Sequence, residues 1–176
     1  MLTNAIIKPT DQHSIALGGP QGAAFIACVL LDLQDSPVTH AQLFSGDSSP
    51  FGLFTQHGEP KKTYYAMLAF RQLLETPQRV ATSGTIAGEV NAMAGMNSDK
   101  SELTLLVSNY KARHERFSIE LKSLPWRGQT QVQCSQLNAH LNLEPITPPT
   151  MSDDHKLTLA LPAPAVAVIK FTPATK

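Results

Sequence analysis

Phe51-Gly52-Leu53-Phe54-Thr55-Gln56-His57-Gly58-Glu59-Pro60-Lys61-Lys62-Thr63-Tyr64-Tyr65-Ala66 is the stretch on which the fold turns. A short apolar extended piece over 51–55 enters a tight turn holding Gly58. Pro60 then stands at or near the start of a helix, where a missing N–H costs nothing. That helix runs to Leu74, with Tyr64, Tyr65, Leu68, Phe70, Leu73 and Leu74 on its packing side, and Glu75-Thr76-Pro77 stops it.

Upstream, residues 18–36 read as another helix, entered through Gly18-Gly19-Pro20 and broken at Ser36-Pro37. Its apolar residues, from Ala23 to Leu33, cover almost the whole circumference, so it needs burial on more than one side. Residues 38–45 read as a strand, and Gly46-Asp47-Ser48-Ser49-Pro50 as the loop after it.

After Pro77 the period changes to two. Segments 86–96, 102–110, 115–122, 130–137, 156–161 and 165–172 alternate or run apolar, and Leu103-Leu105-Val107, Phe117-Ile119-Leu121 and Leu157-Leu159-Leu161 each mark one buried face. Asn97-Ser98-Asp99-Lys100 and Pro125-Trp126-Arg127-Gly128 are turns, and 145–150, with three prolines, is a loop. Short strands at this spacing predict an antiparallel sandwich of about six to eight strands. The boundary falls near Pro77, giving one unit over 1–77 and a β-sandwich over 78–176.

Gly52-Leu53-x-Thr55-x-x-Gly58-x-Pro60-Lys61, followed by Tyr64-Tyr65-Ala66, resembles the end of the catalytic barrel in retaining β-xylosidases of glycoside hydrolase family 39 and their neighbours. The resemblance implies an α+β chain made of the last strand and helix of a (β/α)8 barrel followed by an antiparallel β-sandwich. Its implied substrate is a carbohydrate, a pentoside or related glycoside hydrolysed by double displacement. Two glutamates perform that chemistry in the family, both on earlier barrel strands. Residues 1–17 offer only Asp11 and no glutamate precedes Glu59, so no catalytic residue carries over. The expectation is a C-terminal portion that is inactive alone and that completes a barrel supplied by an upstream fragment.

Barrel enzymes place reactive groups at the C-terminal ends of their strands. For the strand over 38–45 that end is Phe44 to Asp47, and the family commonly has an aromatic stretch and an Asp there. Phe44 and Asp47 are therefore the candidate substrate-binding residues, although Ala41, Gln42 and Leu43 depart from the family's Tyr/Trp character. Without the family, Phe44 reads as core packing and Asp47 as an Asx-turn residue.

Other chemistry finds little support. With 14 basic and 14 acidic residues there is no surplus to neutralise phosphates, which argues against nucleic acid. Residues 22–33 are too short a run to cross a bilayer, and the N-terminus lacks a basic n-region. The compartment is left open. The six histidines lack metal-site spacing, so neither metal nor cofactor is expected. Cys28 and Cys134 read as free thiols, and Trp126 as packing over the end of the sandwich. The rival reading is a stand-alone, non-catalytic sandwich that binds glycan or protein. The all-round apolar helix over 18–33 further predicts that the isolated chain exposes part of it and self-associates.

Overall fold

The structure is a computed structural model describing residues 16–43 and 45–174. Among the described residues, 16–18 are helical and two complete helices follow, α1 (Pro20–Leu33) and α2 (Lys62–Leu74). Eight strands follow: β1 (Gln78–Val80), β2 (Val90–Met96), β3 (Leu103–Asn109), β4 (Arg116–Glu120), β5 (Thr130–Leu137), β6 (Asn142–Ile146), β7 (Lys156–Ala160) and β8 (Ala165–Pro173). Six form one sheet in the order β1-β2-β3-β8-β5-β6, while β4 and β7 make a separate two-stranded layer. Every pairing is antiparallel. The α+β class and the antiparallel sandwich after Pro77 are both present.

The central strand β3 is buried at every residue because both of its faces are covered. Leu103, Leu105 and Val107 point toward the β4–β7 layer and share a core with Leu157, Leu159, Leu161, Ile169 and Phe171. Leu106 points the other way and meets Ala23, Ala27, Ala66 and Leu73 of the helices, together with Val166 and Val168. β8 is shared out in the same manner. Ser108, also on the helix side and fully buried, donates its hydroxyl to the Ala24 carbonyl at 2.8 Å. A buried hydroxyl without such a partner would be costly.

The helices meet through small side chains. Ala23, Ala24 and Ala27 of α1 and Ala66 and Ala69 of α2 are all fully buried. This lets both helices lie close to each other and to the sheet. The other side of α1 is less covered: Ile26, Val29, Leu30 and Leu33 are half-buried, and Phe25 stays 51% exposed while stacking on Tyr110 at 5.6 Å. The expected partial exposure of this helix is present at Phe25.

Several elements differ from expectation. The strand expected over 38–45 does not form in its described residues; 38–43 are exposed and have no ladder partner. An extended segment gains strand character only from a neighbour, and no described strand pairs with it. The extended piece over 51–55 reduces to a single bridge, Phe54 to Pro60. The strand expected from Ile86 begins at Val90, because Glu89 and Val90 donate back to the Ile86 carbonyl in a turn. β6 occupies part of the segment read as a loop. Pro145 is tolerated there because β6 is the last strand of the sheet, with one side unpaired. The three-residue β1 gives too short a pattern to read.

Candidate functional site

The residues that mark the sequence build a brace between two turns and a helix start. Thr55 N–H donates to the Glu59 carbonyl at 2.8 Å, Gly58 N–H donates to the Thr55 carbonyl at 2.9 Å, and Glu59 N–H reaches the Thr55 hydroxyl at 3.1 Å. Gly58 has φ +82, which explains glycine there. Lys61 begins the helix and sends its ammonium back to the Ser49 carbonyl at 2.7 Å and the Gly52 carbonyl at 3.1 Å. Its own N–H donates to the Leu53 carbonyl at 2.8 Å. Phe54 stacks on Tyr64 at 5.4 Å, and Tyr64 meets Tyr65 edge-on. Each residue of the motif has a structural task here.

Asp47 sits at the other end of this brace. Its Oδ1 accepts the Ser45 hydroxyl at 2.5 Å and the Ser49 N–H at 2.8 Å. These hydrogen bonds, the Ser45 hydroxyl foremost, hold its carboxyl down at about 2. The Asp47 carbonyl accepts from Phe54 N–H at 3.2 Å. A Cβ at Gly52 would lie 1.8 Å from that carbonyl oxygen, so only glycine fits. Asp47 thus closes an Asx-type turn and is exposed. Phe44, the other candidate substrate-binding residue, lies outside the described residues.

Several of the remaining carboxylates are engaged in local pairs. Asp35 forms a two-pronged ion pair with Arg79, with the longer contact at 2.6 Å, and Asp32 accepts from Asn91 at 2.5 Å. Asp154 takes the Lys156 ammonium at 2.8 Å and the Ser152 hydroxyl, which hold its carboxyl at about 2. The sequence reading missed one pair of glutamates that converge: Glu75 and Glu102 reach the Lys170 ammonium at 3.6 and 3.2 Å. An ammonium fills the space between them that a scissile bond would need. The one signal for it was Lys170 on the helix-facing row of an otherwise apolar strand.

Two hollows lie in the β-region. One of about 670 Å³ is lined by 128–130, Val132, 148–153 and His155. Ser152, Asp153 and His155 suggest a nucleophilic triad there, but the Ser152 hydroxyl bonds Asp154 and the Lys156 carbonyl, not the imidazole. The other, of about 420 Å³, runs beside β4. Among the described residues no group of His, Cys, Asp and Glu is arranged to hold a metal ion. Cys28 and Cys134 are free and buried. Burial raises both thiols, Cys134 to about 11. Trp126 is half-buried against the sandwich core and donates to the Thr130 hydroxyl at 3.0 Å, a packing role. No described helix is long and apolar enough to cross a membrane.

No family model matches the chain, and no curated protein matches its sequence. Solved structures do match. The glycoside hydrolase family 30 subfamily 8 xylanase Xyn30A from Clostridium acetobutylicum is similar over 88% of this chain and 40% of its own, with TM-score 0.67 and 15% identity. A glucosidase from Croceicoccus marinus is similar over 89% and 43%, with TM-score 0.68 and 19% identity. A family 44 xyloglucanase from Paenibacillus polymyxa is similar over 89% and 30%, with TM-score 0.63 and 15% identity. The likeness is one of fold. It joins the chain's architecture to that of glycoside hydrolases of families 30 and 44, without singling out family 39. The chain spans less than half the length of each of these structures.

Proposed function

We propose that this chain is the sandwich-bearing part of a retaining, xylosidase- or xylanase-like glycoside hydrolase and has no turnover of its own. The carrying observation is the fold likeness to a xylanase and a glucosidase over nearly nine-tenths of this chain. Retaining hydrolysis needs two carboxyl groups about 5–5.5 Å apart, one acid and one nucleophile, flanking an accessible bond. Asp32, Asp35, Asp47, Glu75, Glu102 and Asp154 pair instead with cations, amides or hydroxyls. In this reading a barrel part supplies both carboxylates, residues 1–77 belong with that barrel, and 78–176 form the accessory sandwich. Phe44 and Asp47 border the sugar, with the Asp47 turn holding the loop in shape.

The test is hydrolysis of aryl xylosides and glucosides by the purified chain, alone and mixed with a separately produced family 30 barrel. The expected result is background release alone, unchanged by Asp47→Asn or Glu59→Gln, and a gain on mixing. Turnover by the chain alone, abolished by either substitution, would overturn the proposal. Glycan retention on a xylan column with no gain on mixing would point to a stand-alone binding module instead.

A further inference from the structure

The β4–β7 layer puts two strands over a six-stranded sheet, and the uncovered part is a groove with a strand edge along one side. Among the described residues β4 bonds only to β7, in the register Arg116↔Ala160 through Glu120↔Lys156. Leu161 N–H donates to the Glu115 carbonyl and Leu121 N–H to the His155 carbonyl, which extends that ladder at both ends. Antiparallel bonding alternates along a strand. The odd-numbered residues from 115 to 121 therefore turn their amides toward β7. Arg116, Ser118 and Glu120 turn theirs to the open edge.

Beyond that edge lies the 420 Å³ groove. Val80, Ala94, Leu103 and Leu105 form its floor, Phe117 and Ile119 point down beside it, and residues 81–85 run along the far wall without a ladder of their own. The edge is charged at its two ends. Glu120 lies 3.9 Å from Lys122, whereas Arg116 makes no ion pair among the described residues.

We propose that this groove takes an extended peptide strand antiparallel to β4, with an acidic residue opposite Arg116 and a basic residue opposite Glu120. The two residues opposite Phe117 and Ile119 are apolar, because residues opposite each other share a face and this face looks at the floor. The open amides supply the affinity, and the floor and end charges supply the register. A second copy of this chain cannot be the occupant through its own β4. Antiparallel pairing of two β4 edges places a two-fold axis normal to the layer. Both six-stranded sheets would then lie on the same side and compete for the space under the groove.

The probe is a capped pentapeptide, Lys-Ile-Thr-Val-Glu, and the readout is amide hydrogen exchange of the intact chain. Protection is expected at Ser118 and at its neighbours Arg116 and Glu120, with Phe117 and Ile119, already bonded to β7, unchanged. Exchanging the peptide's Lys and Glu should weaken binding about threefold, the scale of a cross-strand charge pair. A peptide of the same composition with its alternation shifted by one residue should not bind. Ser118→Pro removes an open-edge donor and leaves the β7 ladder whole, a place where an edge strand accepts proline. It should abolish protection with an unchanged far-ultraviolet spectrum. Should that variant not fold, Arg116→Glu, at an exposed position, should reverse the preference between the two charge orders. Equal protection by the shifted peptide, no protection at millimolar probe, or an unaltered charge preference in Arg116→Glu would each overturn the proposal.

Discussion

Leu106→Ala is the most demanding test of how the two helices and the sheet hold together. Leu106 is 0% exposed and touches the row of helix alanines on one side of β3. Leu→Ala in a core costs about 2–5 kcal/mol, more where the cavity cannot collapse. Collapse is hindered here, because most of the opposing helix side chains are alanines and have no length to extend into the space. A loss in the upper half of that range, about 4 kcal/mol, is expected. For a chain of this size each kcal/mol moves the midpoint by about 2–4 °C, so the variant should melt roughly 8–16 °C lower. Leu105→Ala, one residue away on the opposite face, should cost about 2 kcal/mol, because half-buried Phe117, Ile119 and Leu124 lie in the same core and can shift toward it. The assay is thermal unfolding followed by far-ultraviolet circular dichroism, which reports the helices, and by fluorescence of Trp126, which sits on the other face. Both signals should move together in both variants, since coincident transitions mark one cooperative unit. A Leu106→Ala transition that shifts the dichroism and leaves the Trp126 signal in place would refute the argument, as would a loss below about 1 kcal/mol.

Three further outcomes follow from local geometry. Asp47 is held at about 2, below its usual 3.8, so its contribution to stability is present above pH 3.8 and is lost as the pH falls through about 2. The stability difference between wild type and Asp47→Ala should therefore shrink across that window, and a difference that stays constant to pH 2 would contradict the hydrogen bonds from Ser45 and Ser49. Gly95→Ala would place a Cβ 2.0 Å from the Thr76 carbonyl oxygen and should cost about 1–3 kcal/mol in denaturant unfolding, whereas Gly46→Ala meets nothing within 4 Å and should stay near neutral. Burial raises Cys28 and Cys134, so little thiolate is present at pH 8; native protein should resist a thiol reagent that labels both after unfolding.

The parts of the fold that the sequence disclosed are those in which one face alone carries the burden. β7 alternates buried and exposed residue by residue, and Leu157-Leu159-Leu161 announces it. β3 was legible as apolar, but its second face was not, because Thr104 and Ser108 look like solvent positions until the Ala24 carbonyl is seen to receive the Ser108 hydroxyl. β6 was hidden by Pro145, which reads as a loop unless the strand is known to be an edge. The segment over 38–43 has strand-forming residues and no strand, since pairing depends on a neighbour that local sequence does not specify. At the candidate site, Gly58 and Pro60 betrayed the turn and the helix start. The Lys61 brace could not be read, because its partners are two backbone carbonyls, and carbonyls carry no sequence signature.

The two-faced sheet has a consequence for the proposed enzyme. β3 and β8 lend alternate side chains to the helices and to the β4–β7 layer, so a change in the angle of α2 must repack the helix-facing row of strands that are also held from their other face. Packed interiors do not deform continuously. A barrel continuous with α1 and α2 would therefore be held at one orientation relative to the sandwich. The Asp47 loop is tied to α2 through Lys61, Ser49 and Gly52, so it would inherit that orientation. In the proposed enzyme the sandwich would serve the sugar site at a distance, by fixing where the Asp47 loop stands.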